Sequence, residues 1–112
     1  MTWGKLELET EVRKWLMSIS AREQGKVSRN ITRLKEMGPL LTFPFSSQLE
    51  GKLRELRFHL ADGDYRITYY IAPDRRIVLL TVFRKTKQNE SREVSRAEKA
   101  FKKHVERNAY EN

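Results

Sequence analysis

The residues best suited to chemistry in this chain are cations and one histidine set at strand spacing. Arg57 and His59 lie two residues apart, so they share one face of an extended segment. Arg66, Thr68 and Tyr70 repeat the same spacing a few residues later, and Arg84, Lys85 and Lys87 form a third cationic group. A guanidinium donates two parallel hydrogen bonds to phosphate oxygens and stays charged at every physiological pH. Histidine is the side-chain type whose ordinary titration range suits proton transfer. Together these groups fit binding and acid–base work on a phosphodiester. By default an arginine on a half-exposed strand is solvated or ion-paired, so the spacing alone does not assign a role.

Composition narrows the partner. The chain has 112 residues, a net charge of +8 and a pI of about 10.0. So basic a surface favours polyanions through phosphate contact and counterion release. From Arg84 to Arg107 nine Lys/Arg face four Asp/Glu, and from Lys52 to Arg76 six face four. There is no cysteine, which excludes disulfides and thiolate metal sites. The sequence shows no His/Asp/Glu cluster at metal-ligand spacing, so no metal and no cofactor is expected. The first residues lack the apolar stretch of a signal peptide, and no run is long enough to span a membrane, so neither is expected.

Periodicity gives the elements that must hold these groups. A short strand is expected over Trp3–Leu8. Val12, Trp15, Leu16 and Ile19 recur at helical spacing behind Thr10, a plausible N-cap. Val27, Ile31, Leu34 and Met37 mark the buried face of a second helix, ended by Gly38-Pro39. Leu40–Glu50 contains Pro44 and two serines and reads as a loop. Leu56, Phe58 and Leu60 then alternate with Arg57 and His59, and Asp62-Gly63 signals a hairpin. Tyr65, Ile67, Tyr69 and Ile71 face inward on the next strand, and Pro73-Asp74 turns the chain, with Pro73 at the first central position. Ile77–Phe83 is apolar on both faces and reads as a central strand. From Asn89 a last helix carries Val94, Ala97, Phe101 and Val105 on its apolar stripe. Trp15 and Tyr69 are assigned to the core, Trp3 to the core in preference to a partner-binding anchor, and His104 to the surface. The expectation is a single α+β domain over residues 1–112: an antiparallel sheet made of a short N-terminal strand plus a three-stranded meander, two N-terminal helices and a C-terminal helix, with helices on one sheet face. Whether the faces bearing Arg57 and Arg66 coincide depends on a register that the sequence leaves open.

The ordered set KLRELRF (Lys52–Phe58), DGDYRITYYI (Asp62–Ile71) and IVLLTVFRKTKQ (Ile77–Gln88) before a charged terminal helix resembles the RelE/ParE toxin superfamily, most closely its phage-derived Gp49-like or HigB-type branch. No single piece is specific; the order and spacing are. The resemblance covers nearly the whole chain. It implies a cytoplasmic type II toxin, held in a hetero-oligomer by a cognate antitoxin of helix-turn-helix type, that enters the ribosomal A site and cuts mRNA. Arg57, Arg66 and Lys85 match the family's phosphate-binding cations, and His59 matches a histidine used by relatives. Arg54, Tyr70, Arg84 and Lys87 would contact RNA. Without a metal, the RNA's own 2′-hydroxyl is the nucleophile. A base must then take its proton, an acid must protonate the leaving 5′-oxygen, and cations must stabilise the phosphorane. One departure stands out: RelE-like enzymes stack a terminal-segment tyrosine on a base, whereas REVSRAEKA here has no aromatic before Phe101, which moves that step to another aromatic such as Tyr70. The resemblance also leaves open a ParE-like inhibitor of DNA gyrase, or a non-catalytic RNA-binding phage-derived protein.

Overall fold

The computed structural model describes residues 2–111. Its order is β1 (Lys5–Leu8), α1 (Thr10–Ser18), α2 (Ala21–Met37), a single 3₁₀ turn (Gly38–Leu40), β2 (Ser46–Glu50), β3 (Leu53–Leu60), β4 (Gly63–Ala72), β5 (Arg76–Arg84) and α3 (Glu90–Glu111). The five strands form one sheet in the order β1-β5-β4-β3-β2. The class is α+β, as expected, with β3–β4–β5 the antiparallel meander. The sheet as a whole is mixed and not antiparallel throughout as the sequence suggested, because β1 runs parallel to β5.

Two further expectations about the sheet are corrected. The supposed loop contains β2, which pairs antiparallel with β3 from Ser46↔Leu56 outward. Its polar composition, Ser46-Ser47-Gln48, is that of an edge strand and carries no apolar alternation to reveal it. The helices cover both faces of the sheet. On one face α1 and α2 bring Val12, Val27, Ile31 and Leu34 against Leu56, Phe58, Ile67, Tyr69, Ile77 and Leu79. On the other, α3 brings Ala97 and Phe101 against Leu53, Tyr70, Val78 and Leu80. Strands buried on both faces are why Ile77–Phe83 is apolar at every position but Thr81; β5 lies between β1 and β4.

The helix ends follow local chemistry. Ser20 caps α2, its hydroxyl accepting from the Glu23 N–H at 3.2 Å, the Ser-x-x-Glu arrangement that marks a helix start. Gly38 closes α2 at φ +53°, donating its N–H to the Leu34 carbonyl, and Trp3 packs where a Cβ would stand. Thr10 is the first residue of α1, and Glu9 is its N-cap, without a side-chain capping bond. The second hairpin turns through Asp74 (φ 64°) and Arg75 (φ 56°), so Pro73 precedes the central pair. Two stripe positions also shift. Met37 and Val105 are exposed, and on α3 the buried stripe ends at His104, seven residues after Ala97 and so on the same face. His104 is therefore a core residue, 6% exposed and 2.5 Å from the Tyr70 hydroxyl. Tyr69 is fully buried, and Trp15 packs beside Phe58 and Tyr65.

Candidate functional site

The register left open by the sequence is fixed by direct pairing of Arg57 with Arg66 and of His59 with Asp64. Arg66 pairs in turn with Phe83, and the Lys85 N–H donates to the Asp64 carbonyl at 2.8 Å. Alternation then places three rows on one face of the sheet: His59–Asp64–Lys85, Arg57–Arg66–Phe83 and Glu55–Thr68–Thr81. Adjacent strands lie about 4.8 Å apart and alternate residues about 7 Å apart, so the patch spans roughly 10 by 14 Å. It is the same face that α3 covers further along at Tyr70, Val78 and Leu80. The two ends of one face therefore have different roles: one is core, the other carries the charged rows.

The charged end is an electrostatic network. The Glu55 carboxylate is buried and accepts from the Ser47 hydroxyl at 2.7 Å and from Arg57 at 3.0 Å. Arg66 is also buried, 4% exposed, with one guanidinium nitrogen donating to the Tyr65 carbonyl. Its Nε lies 3.6 Å from Glu55 and has no hydrogen-bond partner. Burial first, then the Arg57 charge, pull the Arg66 guanidinium below its ordinary value, with Glu55 opposing. Arg57 keeps about a quarter of its side chain exposed (26%). The two arginines thus hold one carboxylate between them and retain one net positive charge, with Arg57 the member that reaches solvent. His59 is exposed, and its Nδ1 rests against the Asp64 carboxylate, leaving Nε2 outward. A carboxylate on Nδ1 fixes the tautomer in which Nε2 can accept a proton. Lys85 is partly exposed and sits 3.9 Å from Glu90 at the start of α3.

The other expected RNA contacts fall elsewhere. Tyr70 shares the face but is 4% exposed beneath α3, packed edge-on to Phe101 at 4.7 Å and bonded to His104, so no base can reach it. Burial raises its hydroxyl pKa, with nearby Arg76 opposing. Arg54 points to the opposite face, where it donates to Ser46 and to the Tyr69 hydroxyl; it braces β2 to the core. Arg84 also alternates away, donating to the Asp62 carbonyl at 3.1 Å across the hairpin. Lys87 lies exposed in the segment after β5.

A cleft of about 490 Å³ adjoins the charged rows. Arg57, His59, Asp64 and Arg66 line one side, Pro44 and Phe45 another, and Lys26, Arg29, Asn30 and Arg33 of α2 the third. It opens beside β3 where β2 stops pairing at Leu56, with only the Phe45 carbonyl accepting from the Arg57 N–H. The α2 cations were missed in the sequence. The signal is there: Lys26, Arg29 and Arg33 recur at i, i+3 and i+7, a stripe beside the buried Val27, Ile31 and Leu34. Among the described residues no group of three or more His, Cys, Asp or Glu could hold a metal ion, and no helix is long and apolar enough to cross a membrane.

Solved structures share this architecture. A double-arginine mutant of the E. coli toxin RelE in its free state matches with a TM-score of 0.61 at 16% identity, over 92% of this chain and 98% of its own. The RelBE2 toxin–antitoxin complex of Mycobacterium tuberculosis matches at 0.55 and 18%, covering 73% and 98%. The intact E. coli RelBE toxin–antitoxin complex matches at 0.56 and 8%, covering 75% and 99%. The chain therefore has a RelE-like fold. No curated protein matches it. Residues 14–102 match the model of the family described as "Phage derived protein Gp49-like (DUF891)", and the chain belongs to that family.

Proposed function

We propose that this chain is the toxin of a type II toxin–antitoxin pair and cuts mRNA in the ribosomal A site, without a metal. The observation that carries the reading is the charged end of the sheet, where the His59–Asp64–Lys85 row lies beside the solvent-reaching Arg57 and the buried Arg66 on a RelE-like fold. In this reading His59 Nε2 takes the proton of the 2′-hydroxyl, and Asp64 steadies the resulting imidazolium. The 2′-oxygen attacks phosphorus, the bond to the 5′-oxygen breaks, and Lys85 protonates the leaving oxygen. A 2′,3′-cyclic phosphate and a 5′-hydroxyl result. Arg57 donates to the non-bridging oxygens, where charge builds in the transition state. Arg66, buried behind it, holds Glu55 and sets the positive potential of the floor. The patch is open and shallow, so the ribosome supplies the positioning of the strand. A cytoplasmic location and a helix-turn-helix antitoxin complete the proposal; two of the matching solved structures are toxin–antitoxin complexes.

Mapping mRNA 5′ ends after brief induction tests it. Cuts in phase with codons are expected, and Arg57→Ala or His59→Ala should each lower cutting about a hundredfold or more while the protein stays folded. Arg66→Ala is a poorer test, because it empties a buried site and disturbs fold and function together. Unchanged cutting by both exposed-site variants would remove the site assignment. Intact mRNA together with inhibited gyrase supercoiling would replace the reading with a gyrase inhibitor.

A further inference from the structure

The segment between the 3₁₀ turn and β2 exposes two aromatic rings beside the cationic cleft. Phe43 is 70% exposed and Phe45 39%. Such exposure is unfavourable for rings of this size unless something covers them. The segment is anchored: the Phe45 and Ser46 N–H groups both donate to the Thr42 carbonyl, and the Phe45 carbonyl accepts from the Arg57 N–H at 2.8 Å. Each ring carries a guanidinium on one face. Arg57 stands 5.1 Å from the Phe43 centroid and Arg33 4.0 Å from that of Phe45. A ring with a cation on one face, at the mouth of a cleft holding Lys26, Arg29 and Arg66, has the composition of a single-strand platform: charge for the backbone, a π-face for the base. An apolar peptide would gain equally from the ring's area, but it would gain nothing from the guanidiniums beside it.

We propose that Phe43, steadied by Arg57, stacks an unpaired RNA base while Arg57 and the α2 cations hold the adjoining phosphates, with Phe45 and Arg33 as the second step of the same platform. The proposal rests on the RNA reading above and names how the strand is held there.

The test uses the full chain and two short single-stranded probes of uncleavable 2′-O-methyl RNA, one of mixed sequence and one of equal length with abasic residues, at low salt. Phe43→Ala should weaken binding of the base-bearing probe about tenfold and leave the abasic probe unchanged. Phe43→Tyr should restore binding, and Phe43→Leu, which keeps the apolar area without the π-face, should not. Arg57→Ala should weaken both probes, the base-bearing one at least as much as the abasic one. Equal loss on both probes for Phe43→Ala, or full binding by Phe43→Leu, overturns the platform; the latter result fits a protein-docking surface. Loss with Arg57→Ala but none with Phe43→Ala removes the platform and leaves the RNA site standing. Failure of the wild-type protein to bind either probe overturns the platform, and the cleavage reading is then decided separately by the mapping of mRNA 5′ ends.

Discussion

One face of the sheet is divided between two environments. Under α3, Tyr70, Val78 and Leu80 are packed against Ala97 and Phe101; a few residues along the same strands stand the charged rows, where Glu55 and Arg66 are buried against one another and Arg57 and His59 reach solvent. The strands, the pleat and the face are the same, and what differs is what meets them: an apolar helix stripe at one end, a charge network that reaches solvent through Arg57 and His59 at the other. The same alternation therefore selects core residues at one end and charged residues at the other. A polar side chain such as the Tyr70 hydroxyl is tolerated in the covered end because His104 bonds it. A charged pair such as Glu55–Arg66 is tolerated at the border because each offsets the other.

The largest effect should come from breaking the covered end. Tyr70→Ala removes a large buried ring, its contact with Phe101 and one hydrogen-bond partner of His104, and should cost roughly 3–5 kcal/mol in chemical denaturation. The open end should respond oppositely to an equally radical change at an exposed site: His59→Ala should leave the denaturation midpoint nearly unchanged while removing activity. If Tyr70→Ala left stability intact but abolished RNA cutting, the division between covered and open ends would be misplaced.

The border residue Glu55 should show both behaviours at once. Glu55→Gln keeps the shape and a hydrogen bond to Ser47 but leaves Arg66 and Arg57 without their counter-charge. Removing one member of a buried pair should destabilise the fold by roughly 3 kcal/mol. The same change adds one positive charge beside the cleft, so retention on an immobilised polyanion at low salt should increase. A variant that lost stability without gaining polyanion affinity would mean that the freed arginines turn inward instead of facing the cleft.

Much of this arrangement was legible in the sequence because it rests on periodicity. The alternation of Arg57 and His59 with Leu56, Phe58 and Leu60 gave their face, and the interior position of β5 followed from residues that are apolar on both of its faces. Three features were not legible, each for a physical reason. Strand β2 is a polar edge whose pairing depends on β3 and not on its own pattern. Tyr70 sits at the correct spacing for the site, but only the path of α3 decides which end of the face is covered. His104 lies in a run of cations, and its burial depends on the phase of α3, which places it in line with Ala97 and Phe101 while Val105 rotates outward. The α2 stripe of Lys26, Arg29 and Arg33 was present as a pattern, and its meaning depended on a cleft formed by distant residues.

The smallest effect is a titration that sharpens the same division. His104 is buried against Tyr70 and near Asn108, so burial holds its pKa below the ordinary 6.5; Glu9 and Glu7 oppose the shift, and Arg107 and Arg76 add to it. A histidine whose folded pKa is depressed binds fewer protons when folded than when unfolded. Its contribution to stability is therefore complete above the unfolded pKa and is lost as pH falls from about 6.5 toward the lower folded value. Thermal unfolding should show a midpoint that declines across this window. In His104→Gln, which retains polar groups for Tyr70, the decline should be shallower, and the difference between the two curves isolates this residue from other groups that titrate. A decline of equal slope in both proteins would mean that His104 is accessible enough to take its proton without loosening α3, and that the covered end of the sheet is less closed than its packing implies.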